Sequence, residues 1–221
     1  MTREPIDRAA PIDRAAPIDA AALALWPGAG SARDHSSLVA LEEGLAPLDV
    51  ARIDFPYRKE GRKAPDRANK LIASLRTDVA ELCARLGTSS DRVVLGGRSM
   101  GGRMASMAAA GATGATAKGA AIEEEPLPVA GLVLLCYPLH PPGKPDRLRV
   151  EHLSRLEVPT LFISGDRDPF GTPDELAAAI ERIPGAVNVV TVPGARHELK
   201  GCDPLIVDTV RAWLAGDDVS G

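Results

Sequence analysis

Apolar residues form short runs along most of the chain, and segments with helical periodicity separate these runs. The clearest helical segment lies between Leu71 and Leu86, where apolar residues recur at helical spacing and Gly87 occupies the C-terminal cap position. Runs such as residues 132–135 are apolar on both faces, as a parallel sheet covered by helices requires. The pattern predicts six strands, at residues 23–26, 51–55, 93–96, 131–137, 160–164 and 187–192.

Further helices are predicted around these strands, and two of them have recognisable starts. Thr172 to Glu175 form a capping box with proline at the first helical position, and Asp203 followed by Pro204 repeats the pairing of a cap with a proline. Because strands and helices alternate, we predict an α/β fold with a doubly wound, mostly parallel sheet of about six strands. The further helices are at residues 37–45, 101–111, 173–183 and 204–215.

The N-terminal segment contains a repeated hexapeptide, in which Pro5–Ala10 is identical to Pro11–Ala16 and similar to Pro17–Ala22. Each unit has one large apolar residue and a helix-breaking proline, so the repeat can bury little surface. We interpret it as part of a flexible tail, with a docking motif for a partner as the alternative. The predicted organisation is a tail, one α/β domain and a short C-terminal tail, at residues 1–19, 20–216 and 217–221.

Charge and cysteine content exclude several classes of partner. The 26 Lys and Arg residues against 30 Asp and Glu residues give a net charge of −4, which disfavours nucleic-acid binding. The 3 cysteines are odd in number and lack metal-ligand spacing, so neither a disulfide framework nor a metal site is indicated. Acidic residues interrupt the N-terminus, and no segment is long enough to span a membrane. We therefore expect a cytoplasmic protein with no membrane or nucleic-acid partner.

A glycine-rich segment between the third strand and the next helix carries the motif most typical of catalysis. Gly97-Arg98-Ser99-Met100-Gly101 matches G-x-S-x-G in the context of a nucleophile elbow, with a strand before it and a helix after it. A phosphate-binding glycine loop is the competing interpretation, but the pattern G-x-x-x-x-G-K-[ST] is absent. We therefore predict Ser99 as a nucleophile.

A serine nucleophile needs a base and a carboxylate that orients the base. His197 follows the last strand, and the chain order of this architecture, with the histidine last, favours it over His140. Two aspartates follow the fifth strand. Asp168 has more room than Asp166 to turn towards His197, and Asp166 remains the alternative.

The oxyanion hole and the substrate site are expected at the same edge of the sheet. Met100, directly after the nucleophile, supplies one N–H donor, and Ala29 in the loop after the first strand supplies the other. Arg98 and Arg103 flank a helix start, where the helix dipole disfavours cations. An internal acid is the favoured compensation, and a substrate carboxylate is the alternative. The predicted substrate-binding residues are Gly28, Gly30, Tyr57, Arg58, Arg98 and His140.

These segments resemble the α/β-hydrolase superfamily, and more closely its small branch without a cap domain, which includes dienelactone-hydrolase-like proteins and KANL3/Tex30-like hydrolase domains. The resemblance covers residues 23–214 and implies a minimal fold without a cap and a triad of Ser99, Asp168 and His197. The chain departs from the common pattern at Pro27, where many relatives have histidine. The segments that carry the resemblance, besides the elbow, are Pro27–Gly30, Asp34–His35, Phe55–Tyr57, Tyr137–Pro145 and Gly165–Phe170.

We predict a serine hydrolase of the carboxylic-ester-hydrolase type that acts on a small ester, thioester or lactone through an acyl-enzyme and needs no cofactor or metal. The predicted partner is a small acyl substrate, and the net charge of −4 does not exclude an anionic one. Acyl transfer to an alcohol or amine would use the same residues. A catalytically silent interaction module with the same fold is the alternative from another class.

Overall fold

The computed structural model describes residues 16–115 and 121–219. Its strands are β1 (Ala22–Trp26), β2 (Asp49–Arg52), β3 (Val93–Arg98), β4 (Ala112–Ala115), β5 (Ala121–Glu123), β6 (Gly131–Leu135), β7 (Thr160–Gly165) and β8 (Val187–Val192). Six of them form one sheet in the order β2-β1-β3-β6-β7-β8, in which every neighbouring pair is parallel. The predicted six-stranded parallel sheet is therefore confirmed. The antiparallel pair β4 and β5 was not predicted, because this segment is rich in alanine and glycine and has few of the residues that favour strands.

Helices cover both faces of the sheet, as the doubly wound prediction requires. Side chains alternate along β1, so Ala22, Ala24 and Trp26 join one apolar cluster, whereas Leu23 and Leu25 join a second cluster on the other face. The helices are α1 (Ser36–Gly44), α2 (Pro56–Lys59), α3 (Ala68–Leu86), α4 (Met100–Ala109), α5 (Pro173–Ile180) and α6 (Asp203–Leu214). The first cluster contains residues of α3, α4 and α5, and the second contains residues of α1 and α6.

The helix boundaries follow the predicted caps with one exception. Oγ1 of Thr172 accepts a hydrogen bond from the N–H of Glu175 at 3.3 Å, which together with the reciprocal bond completes the predicted capping box of α5. Gly87 ends α3 with a left-handed φ of 64°. The prediction that Asp203 caps α6 is wrong: Cys202 occupies the cap position, and Asp203 lies in the first turn. Its charge is still favourable there because of the helix dipole.

The connections leave the carboxyl edge of the sheet open. The segment from β6 to β7, residues 136–159, contains one 3₁₀ turn (Leu153–Arg155) and no cap domain. At the other end of the domain, the N–H of Ile18 donates to the carbonyl of Leu214 at 3.0 Å. Residues 1–15 of the predicted tail lie outside the described residues. No helix within the described ranges is long and apolar enough to cross a membrane.

Candidate active site

Ser99 lies in the turn between β3 and α4, with a φ of 51° and a ψ of −114°. A positive φ is strained for a residue other than glycine, and surrounding contacts must hold it in place. Here the N–H of Ser99 donates to the carbonyl of Leu135, at the end of β6, at 2.8 Å. Ser99 is therefore fixed at the carboxyl edge of the sheet and at the N-terminus of α4.

Gly97 and Gly101, two residues before and after Ser99, have no room for a side chain. A Cβ atom at Gly97 would lie 2.2 Å from the carbonyl oxygen of Trp26, and one at Gly101 would lie 2.1 Å from the same oxygen. Gly97 also has a φ of 147°. The end of β1 passes directly against the elbow, which is the physical reason for glycine on both sides of the serine.

Ser99, His197 and Asp168 form a continuous hydrogen-bonded chain. Nε2 of His197 lies 2.9 Å from Oγ of Ser99, and Nδ1 of His197 lies 2.7 Å from Oδ2 of Asp168. Both His197 and Asp168 are buried, at 8% and 5% exposure. A carboxylate on Nδ1 keeps the proton on that nitrogen, so Nε2 can accept the proton of the serine hydroxyl. The arrangement has the geometry of a nucleophile, a base and an orienting acid.

The loop after β7 brings Asp168, rather than the alternative Asp166, to His197. Asp166 is exposed to solvent. Oδ1 of Asp168 accepts a hydrogen bond from the N–H of Phe170 at 2.8 Å, which leaves Oδ2 for the histidine. The ring of Phe170 stacks on the imidazole with 4.1 Å between centroids. One short loop thus orients the acid and shields the base from water.

The loop after β1 lies beside the nucleophile, and hydrogen bonds hold two of its peptide groups. A Cβ atom at Gly28 would lie 3.5 Å from Cβ of Ser99. The carbonyl of Gly28 accepts from the N–H of Ser31 at 3.2 Å, and the carbonyl of Ala29 accepts from the hydroxyl of Tyr57 at 3.0 Å. In a trans peptide the N–H points away from the carbonyl. The two bonds therefore orient the N–H groups of Ala29 and Gly30. On the other side of the site, Met100 begins α4, so its N–H has no acceptor within the helix.

A cavity of about 520 Å³ opens beside the triad. Thirteen residues line it, and seven of them are residues that the sequence predicted for the site. Among the predicted residues, these are Gly28, Ala29, Gly30, Arg98, Ser99, Met100 and His197. The structure therefore brings together the predicted nucleophile, the predicted base and both predicted oxyanion donors on one cavity.

Three predicted substrate-binding residues do not line this cavity. Tyr57 is fully buried and supports the loop through Ala29. His140 is 5% exposed, and its ring bonds to the carbonyl of Pro141 at 2.9 Å and approaches Glu175 at 3.4 Å. Arg58 lies on α2 and is also absent from the lining. The end of a strand places a residue at the correct edge of the sheet, but it does not decide where its side chain points, so these three assignments are corrected here.

Arg98 has the internal acidic partner that the sequence favoured. Its Nη2 donates to the carboxylate of Glu198 at 2.8 Å and to the carbonyl of His197 at 2.6 Å. The side chain of Arg98 is 7% exposed, so the bond to a backbone carbonyl is shielded from competing water. Arg98 therefore positions the loop that carries the base, and its remaining surface borders the cavity.

Comparison with known proteins agrees with this fold. A family model described as an alpha/beta hydrolase domain matches residues 19–204. This chain belongs to the α/β-hydrolase family. Similar solved structures include dienelactone hydrolase from Anabaena variabilis, with 22% identity, a TM-score of 0.65 and coverage of 90% of this chain and 87% of that one. Est1E from Butyrivibrio proteoclasticus is 16% identical, with a TM-score of 0.66 and coverage of 90% and 88%. At these identities the likeness shows the fold, and the resemblance predicted from the motifs is confirmed.

In this α/β hydrolase, we expect Tyr57→Phe to lower kcat for an ester about three- to tenfold, with KM little changed, because one neutral hydrogen bond is lost. The bond fixes a peptide of the loop beside Ser99 rather than the substrate, so ground-state binding is spared. Steady-state kinetics with p-nitrophenyl acetate and a thermal unfolding curve measure the effect. An unchanged kcat in a folded variant would contradict the positioning role.

Cys136 is a neighbour of the triad that sequence spacing did not indicate. Its Sγ, a carboxylate oxygen of Asp168 and a ring nitrogen of His197 lie within 4.8 Å of one another, which is a possible set of metal ligands. Burial raises the pKa of the Cys136 thiol to about 12, so the thiolate that a metal requires is disfavoured. Asp168 and Nδ1 of His197 already share a hydrogen bond. The chemistry of this set therefore fits a triad better than a metal centre.

Other residues that line the cavity were not predicted to do so. Arg149 comes from the irregular segment between β6 and β7, where no periodicity indicates which residues face inward. The sequence indicates Arg103 only as an arginine near a helix start. Its position about one helical turn after Ser99 is the signal that could have placed it at the cavity. The residues in this group are Ser31, Arg103, Pro138, Arg149, Phe170 and Glu198.

Proposed function

We propose that this α/β hydrolase is a serine hydrolase that cleaves a small ester, thioester or lactone through an acyl-enzyme on Ser99. The observation that carries the proposal is the buried hydrogen-bonded chain from Ser99 Oγ through His197 to Asp168, with contacts of 2.9 and 2.7 Å. Ser99 and His197 line a cavity that is also lined by the candidate oxyanion donors, Met100 and Ala29. The fold alone would be compatible with many activities, so the site carries the proposal.

In the first half of the reaction, Oγ of Ser99 attacks the substrate carbonyl while Nε2 of His197 takes the hydroxyl proton. Asp168 stabilises the imidazolium through Nδ1. The oxyanion accepts hydrogen bonds from the N–H groups of Met100 and Ala29, aided by the positive end of the α4 dipole. The carbon–oxygen or carbon–sulfur bond then breaks, and the leaving group takes the proton from His197.

In the second half, water attacks the acyl-enzyme and His197 takes a proton from it. The bond between the acyl carbon and Oγ breaks, and His197 returns the proton to Ser99, so acid and free enzyme are released. The connection from β6 to β7 places no cap domain over the site, which suits access of water and of varied leaving groups.

Labelling with a fluorophosphonate probe tests the nucleophile directly. Attack by Ser99 Oγ on phosphorus expels fluoride and leaves a stable adduct, which mass spectrometry locates on the peptide that contains Ser99. We expect stoichiometric labelling of the parent chain and none of Ser99→Ala. Ser31→Ala is the matched control, because Ser31 lines the same cavity and is not part of the triad. Equal labelling of Ser99→Ala and the parent would overturn the assignment, and no labelling of either would favour a silent interaction module.

A further inference from the structure

We propose that the first unit of the N-terminal repeat, Pro5–Ala10, binds along the free edge of β2 as an added strand of the sheet. The inference is separate from the proposed activity. It concerns a groove that shares no lining residue with the active-site cavity.

β2 is an edge strand with unpaired backbone groups. It is the last strand in the order of the sheet and pairs only with β1. The N–H of Ile53 donates to the carbonyl of Leu25 at 2.9 Å. Because the backbone groups of successive strand residues point to opposite sides, those of Val50 and Arg52 face away from β1. Within residues 16–115 and 121–219, these groups have no hydrogen-bond partner. Such an edge is a template for another strand.

A cavity of about 890 Å³ lies along this edge. Residues 50–54 line it, together with Glu42 of α1 and with Glu81, Leu82 and Arg85 of α3. The two helices cover opposite faces of the sheet, so their side chains form the walls of a groove. A groove of this kind admits one extended segment rather than the edge of a second folded domain. Five strand residues extend about 16 Å and one unit of the repeat about 20 Å, so the lengths match.

The period of the repeat places its prolines where an added strand tolerates them. The period is six residues, an even number, so all prolines of the repeat have the same parity as Pro5. In an extended segment, residues of one parity direct their N–H groups to the same side. The missing N–H groups of the prolines then face solvent, while Ile6, Arg8 and Ala10 donate towards β2. A repeat with an odd period would bring every second proline against the edge.

The side chains of the unit complement the α3 wall of the groove. Ile6 and Arg8 lie on one face of an extended segment. On that wall, Leu82 offers an apolar surface and Glu81 a carboxylate that has no ion pair with another described residue. Ile6 therefore packs on Leu82 while Arg8 pairs with Glu81. Because an exposed ion pair adds little affinity, its main effect is to favour one register.

The opposite face of the unit meets the basic side of the groove. Asp7 alternates with Ile6 and Arg8, so it faces the α1 wall when they face α3. Arg52 lies on that side, where it binds Glu42 of α1 at 2.6 Å. Arg33 also lines the groove, and its side chain is 67% exposed. Asp7 therefore adds an acid next to two arginines.

The start of the described chain lies within reach of the groove. Asp19 binds Arg92 at 2.8 Å, directly before β3. Ala22 begins β1 and pairs with Asp49, the first residue of β2. A strand added to β2 lies two strand spacings from β1, about 10 Å, and residues 11–16 span up to about 20 Å. The second unit thus connects the first unit to the domain, and so short a tether gives an effective concentration of about a millimolar.

Amide hydrogen exchange of the full chain, followed by NMR, tests the added strand. The N–H groups of Val50 and Arg52 exchange freely when the edge is open, whereas an added strand slows their exchange at least about tenfold. Ile53 is the internal control, because its N–H bonds to β1 whether or not the repeat is bound. Protection of Ile53 also reports that each variant is folded.

Two proline variants provide the matched comparison. Ala9→Pro combined with Ala15→Pro removes donors on the solvent side of the added strand. Ala10→Pro combined with Ala16→Pro removes donors on the side of β2. Both units are changed in each variant so that neither unit replaces the other. We expect the first variant to keep the slow exchange of the two edge amides and the second to lose it.

Equally fast exchange of Val50 and Arg52 in the parent chain and in the Ala10→Pro, Ala16→Pro variant would overturn the proposal. Equal loss of protection in both proline variants would also overturn it, because donors on one side of the repeat would then not be the cause. Protection that falls when the protein is diluted would assign the contact to a second copy instead of the same chain. Ser99→Ala should keep the protection, so the result is independent of the proposed activity.

Discussion

His197→Gln is expected to lower kcat for p-nitrophenyl acetate at least about a thousandfold, because loss of the base removes the activation of the nucleophile. Glutamine is close in size to histidine and can bond to Asp168, but its amide cannot take the serine proton at neutral pH. Since Nε2 lies 2.9 Å from Oγ of Ser99, no other side chain is needed to explain the proton transfer. Stopped assays at high enzyme concentration measure the residual rate.

His140→Gln is the matched control for this prediction. His140 is also buried, at 5% exposure, and also follows a strand of the sheet, but it contacts Pro141 and Glu175 instead of Ser99. We expect its kcat to stay within about threefold of the parent value, since the contacts that are lost, with Pro141 and Glu175, do not involve Ser99, Asp168 or His197. A large loss in His140→Gln together with a small loss in His197→Gln would reverse the assignment of the base.

Gly101→Ala is expected to lower the free energy of unfolding by about 3 kcal/mol or more, through steric overlap with backbone atoms. The added Cβ would lie 2.1 Å from the carbonyl oxygen of Trp26, 2.5 Å from its carbon and 2.8 Å from the carbonyl oxygen of Pro27. Backbone atoms cannot rotate away as a side chain can. The sign of the change in the free energy of unfolding is informative, because alanine in place of glycine within an unobstructed helix stabilises the protein by about 1 kcal/mol.

Urea denaturation measures this effect, with Gly30→Ala as the control. No atom lies within 4 Å of a Cβ built at Gly30. The free energy of unfolding of the Gly30→Ala variant should therefore differ from the parent value by no more than about 0.5 kcal/mol. Stabilisation of the Gly101→Ala variant would mean that the end of β1 does not press against the elbow.

Much of the fold follows from the apolar pattern, because a strand in a covered parallel sheet must be apolar on both faces. The elbow was predictable for a related reason: a sharp turn between a strand and a helix demands glycine at fixed positions around Ser99. Asp168 is favoured over Asp166 because it lies further along the loop and has more room to turn back towards His197. These features are local, so a single sequence contains them.

The features that sequence reasoning missed depend on contacts between distant segments. Tyr57 and His140 follow strands as catalytic residues do, yet Tyr57 bonds to the loop after β1 and His140 contacts Glu175 of α5 instead of lining the cavity. Arg149 belongs to an irregular segment, where neither helical nor strand periodicity predicts orientation. Cys136 approaches His197 only because the sheet places β6 between β3 and β7. Spacing along the chain does not predict which residues of distant segments come into contact.

The contact of Trp26 with the elbow also determines the relative position of Ser99 and Ala29. Trp26 pairs with Gly97 in the parallel register of β1 and β3, and the next residues of the same chain form the loop that carries Ala29. The predicted nucleophile and the predicted oxyanion donor are therefore both positioned by the end of β1, and we expect them to move together. We expect the distance between Ser99 and Ala29 to be less sensitive to motion elsewhere in the sheet than it would be if they lay on separately supported segments.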